Sequence, residues 1–506
     1  MVWACFLARL LFYSAMLPLW EGYDEWAHFA VVRQMAFSGH WLVSRDASIP
    51  RDVETSLELA PVPWELRSLP PPAVPHDAYW ALSHNERERR EAALRAMPLE
   101  WGREDGTGSL KAYESLQPPL YYWLMAPLLW LFRGSGLLAQ VLALRFVSSA
   151  VASLVVPLVY LIGREFWGEC PLALGGAAIA ALMPGLALDV ARVGNDCLAV
   201  VLFTLLTWLL VRAARDPAIG FVLGFGLLTK AYFLAAIPAS LWNKRFRLKA
   251  IALAALIAGW WYIRNLRTTG TLSGLSEAVM LRRTPISELL HKSLEVNWLK
   301  AIDAIFFSHL YFGGWSSLTV RSWMYHLFYG AILAAAIGVL RQFRQPAIRT
   351  LLAVYLCFWL GQVYNVVILY ASKGLGGSMG WYMYAVVGAE VVLAIAGLRS
   401  LLPDRASPWI PAAGAAMFAL LDLYTVHAVA IPYYTGMIRH RANGSLEALH
   451  GAALQSFGIG GVVARLSEFV PPALLVALWL LYLLGTAGAL TAACARKCDS
   501  AAKSQA

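Results

Sequence analysis

Apolar runs long enough to cross a bilayer recur along the chain, beginning at residues 2–20 and ending at residues 470–493. A stretch of about 18 apolar residues or more is a candidate spanning helix. That feature constrains the fold class more than any other. Composition agrees, since 59% of the 506 residues are hydrophobic and 14% are charged, where soluble domains carry about 25% charged residues. The chain is expected to be an all-α polytopic membrane protein with about 11–13 transmembrane helices. No small-x-small cleavage site precedes the acids that follow the first run, so that run is expected to be a retained anchor.

The net charge of +10 matters through its placement. Basic residues gather in short clusters between apolar runs: Lys244, Arg245, Arg247 and Lys249; Arg341, Arg344 and Arg349; Arg399 and Arg405; Arg496 and Lys497. By the positive-inside bias these mark cytoplasmic loops, and their dispersal argues against a nucleic-acid partner. Counting back from the basic tail gives spans near 470–493, 407–430, 382–398, 350–370, 323–340 and 250–263. With a cytoplasmic N-terminus, the segments at about 21–117 and 264–325 then share the external face. Residues 118–242 hold too many short apolar pieces for simple alternation, and one piece is expected to be broken or re-entrant. No internal repeat is visible, which weighs against inverted-repeat transporters. The six cysteines lie mostly in or beside apolar runs, so no disulfide framework is expected. Cys494 and Cys498 flank the basic tail, as a zinc pair or as plain tail composition.

Two adjacent carboxylates, Asp24 and Glu25, stand at the exit of the first run. Acids placed at a bilayer surface mark chemistry or ion binding. On a helix Asp24 and His28 share a face (i, i+4), and Glu25 adjoins His28 (i, i+3). Trp26, Phe29 and Phe37 would let this segment lie along the interface. A carboxylate here could act as general base on an acceptor hydroxyl or amine. The trio Asp24, Glu25 and His28 could instead hold a divalent cation, or the acids could simply complement a helix dipole.

Further candidates lie downstream. Glu114-Ser115-Leu116-Gln117-Pro118-Pro119-Leu120-Tyr121-Tyr122-Trp123 marks re-entry into the membrane, with proline at a first turn and aromatics at an interface. Lys230, after Gly224-Phe225-Gly226-Leu227-Leu228-Thr229, sits between apolar runs, where an ammonium must pair or snorkel. Arg264, Asn265 and Arg267 follow Trp260-Trp261-Tyr262-Ile263 on the expected outer side, against the positive-inside bias. An Arg fork there suits a lipid phosphate, the favoured reading, with an aromatic-basic belt on headgroups as the alternative. Asp196 is a second acid with Arg192 one turn away. Glu390, Asp422 and His427 lie within late apolar runs, as functional groups or as mutual partners.

In combination these motifs resemble the GT-C superfamily of membrane glycosyltransferases. Asp24-Glu25, Arg33 to Trp41 with its Met and Gly-x-Trp, Gln117-Pro118-Pro119-Leu120 and Leu131-Phe132-Arg133-Gly134 are similar to the N-terminal module of the lipid A aminoarabinose transferase and protein O-mannosyltransferase branch. Trp260 to Asn265 and Phe307 to Trp315 resemble a related bacterial membrane family. The likeness covers roughly residues 1–320. It implies a catalytic membrane module there, with 321–506 supplying C-terminal transmembrane helices.

The resemblance implies an inverting glycosyltransferase. Such enzymes take a sugar from a polyprenyl-phosphate carrier on the outer face, the inner membrane's periplasmic or external side, and pass it to a lipid, glycan or protein acceptor. Asp24 matches the catalytic acid, Asp196 lies near a second acidic position, and Lys230 matches a lipid-phosphate contact. Two departures stand out: Gln117 replaces a Lys before Pro-Pro, and Gly380-Trp381-Tyr382 replaces Gly-Arg-Tyr. Asp24 and Glu25 are therefore the catalytic candidates. His28, Gln117, Tyr121, Lys230, Arg264, Asn265, Arg267 and Tyr382 are the substrate-binding ones. The expected partners are a polyprenyl-linked sugar donor and membrane lipids, with a divalent metal left open. A transporter or flippase of lipid-linked glycans is the alternative, and a non-catalytic scaffold a third.

Overall fold

The computed structural model describes residues 1–69, 72–97, 107–168, 170–242 and 247–495. Lys244, Arg245, Arg496, Lys497 and Cys498 lie outside them. The architecture is all-α, and the described strands form only two two-stranded sheets. Among the described residues, six helices are long and apolar enough to span a membrane: Leu137–Trp167, Ser322–Arg341, Pro346–Lys373, Gly380–Leu401, Ser407–Tyr434 and Pro472–Ala493. Five of them fall where the charge pattern placed spans. The expected span near 250–263 lies within Leu248–Thr269, which is too polar toward its end to join the six. The total reaches 11–13 only if shorter or more polar helices cross too. The broken piece expected within 118–242 is Pro171–Leu182 followed by Pro184–Val190, bent by 63° where Pro184 removes a helical N–H.

The first helix, Val2–Met16, ends at Leu17 in an extended conformation, as the residue before Pro18 must. It packs along Pro472–Ala493 and joins the two ends of the chain in one core. Arg9 donates to Asp422 at 2.7 Å, and Tyr13 and Tyr482 donate to the same carboxylate at 2.7 and 2.6 Å, all buried. His309 contacts Glu390 at 2.9 Å, and the Trp479 indole donates to His427 at 2.9 Å. The late charged residues thus find partners inside the bundle, as buried charges must.

The polar stretch after the first helix is a folded cover. Strands Ser48–Pro50 and Thr107–Lys111 pair antiparallel, and helices Arg51–Leu59 and His84–Arg95 pack around them. Beneath it runs the helix Glu25–Ser38, closed by Gly39 at φ 68°, a left-handed stop that glycine adopts freely. This helix does not lie along an interface with one wet face. Ten of its residues are buried, Phe29 fully and Trp26 at 7% exposure, because it is packed against Leu120–Leu131 and covered by the loop.

Candidate active site

The turn between the first two helices positions the acids. Asp24 adopts φ 55°, ψ 17°, a left-handed conformation uncommon for a residue other than glycine. Gly22 is required because a Cβ there would lie 2.6 Å from the Arg192 side chain. Glu21 is clamped from the other side, accepting the Ser316 N–H at 2.9 Å and its hydroxyl at 2.8 Å. The bend at Asp24 sends the two neighbouring carboxylates in opposite directions.

Glu25 turns inward. It is fully buried and receives Arg145 at 2.7 and 2.6 Å and the Val193 N–H at 3.0 Å. With both oxygens so engaged, Glu25 is not available as a base or as a metal ligand beside Asp24. Among the described residues no three His, Cys, Asp or Glu side chains gather as a metal site.

Asp24 stays partly open and accepts the Tyr113 hydroxyl at 2.5 Å. Burial raises its pKa, against the pull of that hydrogen bond and of the charges on Arg192 and Lys230. Next to it, His28 Nδ1 lies 2.8 Å from the Tyr122 hydroxyl and 3.5 Å from Glu114. Glu114 Oε2 has no hydrogen-bond partner among the described residues. Its carboxyl is pushed up to about 8, first by burial and then by the Asp24 charge, whereas burial pushes the His28 imidazole well down. Both shifts favour the uncharged forms of Glu114 and His28.

A second cluster faces this one. Asp196 opens the helix Asp196–Val211 and receives the Lys230 ammonium on one oxygen and Arg192 on the other, the latter at 2.6 Å. Arg192 also reaches Asp189 at 3.0 Å, and its Nε and Nη1 have no hydrogen-bond partner among the described residues. Lys230 sits over the Tyr232 and Tyr382 rings at 5.4 and 5.2 Å. Tyr121 accepts the Gly194 N–H at 3.0 Å and so fixes the loop behind Arg192. A Cβ on Gly194 would lie 3.5 Å from the His28 ring, so the two clusters adjoin.

The structure thus brings together Asp24, His28, Tyr121, Asp196, Lys230 and Tyr382, and adds Tyr113, Glu114, Tyr122 and Arg192. The Gly-Trp-Tyr departure has a visible consequence: Trp381 stacks on Tyr23 at 3.7 Å, filling its place with a ring instead of a guanidinium. Gln117 is half-buried, and its side chain makes no hydrogen bond among the described residues. The other three candidates stand apart. Asn265 is buried and donates to Leu272 and Ser273 carbonyls at 3.3 and 3.1 Å, closing the turn after its own helix. Arg264 lies over Trp261 at 5.1 Å, and Arg267 is exposed.

Residues 116–258 match the family model of dolichyl-phosphate-mannose-protein mannosyltransferases. The match falls within the stretch that carries the GT-C resemblance and supports it there. The matched stretch contains Tyr121, Arg192, Asp196 and Lys230, the cationic side of the site. Among solved structures, the chain is similar to ArnT from Cupriavidus metallidurans bound to undecaprenyl phosphate, with 14% identity, TM-score 0.47, and coverage of 96% of this chain and 74% of that one. The apo state of the same protein gives 14% identity, TM-score 0.40, and coverage of 92% and 75%. No curated protein matches the chain.

Proposed function

We propose that the protein is an inverting glycosyltransferase that moves a sugar from a polyprenyl-phosphate carrier to a lipid, glycan or protein acceptor. The observation that carries this reading is the meeting of one partly open carboxylate, Asp24, with a two-cation cluster, Arg192 and Lys230. Asp24 takes the proton from an acceptor hydroxyl or amine as the acceptor atom attacks the anomeric carbon. The bond from that carbon to the phosphate oxygen breaks, and its electron pair leaves with the polyprenyl phosphate. Lys230 and the spare Arg192 donors stabilise the charge that develops there. Glu114, its carboxyl pushed up by burial and by the Asp24 charge, favours the neutral form beside that base. Arg264, Asn265 and Arg267 are assigned no contact with the reacting atoms.

Residues 1–320 supply this chemistry except for Tyr382, which supports Lys230 from the later helices. The site is assigned to the external face of a bacterial inner membrane. The helix Ser322–Arg341 supports that placement: Tyr325, near its start, donates to the Tyr311 carbonyl, beside the Phe312 carbonyl that Tyr23 reaches. Its other end, about 30 Å away by helical rise, carries Arg341 against the Ser400 carbonyl among the basic clusters.

The test incubates the purified protein with polyprenyl-phosphate sugars and follows release of polyprenyl phosphate. Turnover that survives in Asp24→Asn sinks the assignment. So does transfer of an intact lipid-linked sugar across liposomes without cleavage.

A further inference from the structure

A recess of about 280 Å³ lies behind the turn that carries Asp24, lined by the end of the first helix, the helix His84–Arg95 and residues 464–469. Glu468 accepts the Leu19 N–H at 3.3 Å, and the Phe469 ring lies under Arg145 at 4.6 Å. The recess is thereby separated from the Asp24 cluster by the turn itself and by the buried Glu25–Arg145 pair.

Two half-buried guanidiniums converge on it. Arg465 and Arg87 flank Trp80 at 4.2 and 5.6 Å from its ring. Neither has a carboxylate within salt-bridge distance among the described residues. Each spends only Nη1 on carbonyls, Arg87 on Trp80 and Leu82 and Arg465 on Thr435. Burial and the nearby Arg87 charge lower the Arg465 pKa. His76 lines the same recess at 2% exposure, and neither ring nitrogen makes a hydrogen bond among the described residues. Its nearest charged group is Glu21, 3.5 Å from Nε2, so Nδ1 remains a buried polar atom without a partner. Such atoms are uncommon and call for a ligand or water.

The acids along the wall do not cancel this. Glu91 pairs with Arg95 at 3.8 Å, and Glu88 is exposed to solvent, reaching only His84 at 3.2 Å. Burial pushes the Glu468 carboxyl up, and it is spent as the acceptor of the Leu19 N–H.

The floor is apolar and belongs to helix ends: Met16 and Leu17 close the first helix, and Leu138 stands at the start of Leu137–Trp167. A chain entering there would run along spanning helices, with its polar end at the arginines. We propose that this recess holds the phosphate of an anionic membrane phospholipid between Arg87 and Arg465, with its acyl chain toward Met16 and Leu138. The proposal is independent of the sugar-transfer reading.

Native mass spectrometry of the full chain, titrated with phosphatidylglycerol, diacylglycerol or inorganic phosphate, tests it. Phosphatidylglycerol should be retained at least about tenfold better by the wild type than by R87Q/R465Q, in line with loss of charge-assisted contacts. The charge-keeping R87K/R465K pair should retain most of the binding. Leu138→Trp, which leaves both arginines in place and fills the chain path, should lose it as well, so misfolding of the Gln pair does not leave the question open. Equal retention by the wild type and the folded Gln or Trp variants overturns the site. Binding of diacylglycerol as tight as that of phosphatidylglycerol removes the phosphate from it. Saturation by inorganic phosphate alone at the same concentration overturns the lipid assignment.

Discussion

Arg145 grips Glu25 at two points, Nε to one oxygen at 2.7 Å and Nη2 to the other at 2.6 Å, with both side chains fully buried. The same guanidinium donates to the Ser14, Leu17 and Pro18 carbonyls at 3.0, 2.6 and 2.8 Å. One side chain thus closes the end of the first helix and fixes the start of the second. Asp24 lies between these fixed points, and the Val193 N–H, donating to Glu25, ties the turn to the loop bearing Arg192. The base candidate and the cation cluster are held in register by a fully buried pair.

Removing one partner of such a pair leaves a buried charge alone, which costs about 3–5 kcal/mol. Arg145→Ala is expected to destabilise the protein by that amount. Arg145→Lys should recover little, since an ammonium cannot match a planar fork that serves a carboxylate and three carbonyls. Thermal unfolding in detergent measures both, and a Lys variant as stable as the wild type would contradict the argument.

Asp24 must be ionised to act as a base, so activity should fall on the acid side at a pH above that of an ordinary aspartate. Burial moves that limb up, and the Tyr113 hydroxyl holds it down. Tyr113→Phe should therefore shift the acid limb of kcat/KM to higher pH, while Asp24→Asn should lower turnover by about 10²–10⁴-fold without a matching loss of melting temperature. A limb that moves to lower pH in Tyr113→Phe would show the bond acting on another group.

Glu114 makes a separate prediction about stability. Its folded pKa of about 8 stands above the ordinary 4.5, first because of burial and then because of Asp24. Between those two values the unfolded chain releases a proton that the folded chain keeps, so stability falls as pH rises through the window. Melting temperatures of the wild type and Glu114→Gln, followed from pH 5 to 9, should diverge in favour of the variant up to about pH 8. Parallel curves would mean that Glu114 is already ionised in the folded state.

What could be read from the sequence follows the range of each interaction. Asp24 and Lys230 were legible because a charge at the edge of, or inside, an apolar run is costly without a purpose or a partner. Arg145 was not, because its bond to Glu25 spans 120 positions and nothing local marks it. Adjacent Asp24 and Glu25 look equivalent in sequence, and only the left-handed backbone at Asp24 separates them. Arg192 could be paired with Asp196 by helical spacing, but not placed against Gly22. Asn265 had the composition of a site residue and proves to close its own turn. The helix Glu25–Ser38 was misplaced for a related reason: its cover forms only when strands Ser48–Pro50 and Thr107–Lys111, some sixty positions apart, pair above it.

Lys230 and Arg264 were both legible as phosphate contacts, and the structure separates them. Lys230 is 8% exposed, bound to Asp196 and set over two tyrosine rings, whereas Arg264 has its guanidinium over a single Trp261 ring. A hydrogen bond to a charged group is worth about 1.5–3 kcal/mol, so Lys230→Gln should raise the KM for a polyprenyl-phosphate sugar by about 10–100-fold. Arg264→Gln, which removes a half-buried cation with no carboxylate partner among the described residues, should change it by less than about threefold. Steady-state kinetics on both variants, with melting temperatures as a control for the Asp196 charge left behind, decide the point. If Arg264→Gln proves the more damaging of the two, the phosphate binds at the aromatic-basic end of Leu248–Thr269 and not over Asp196.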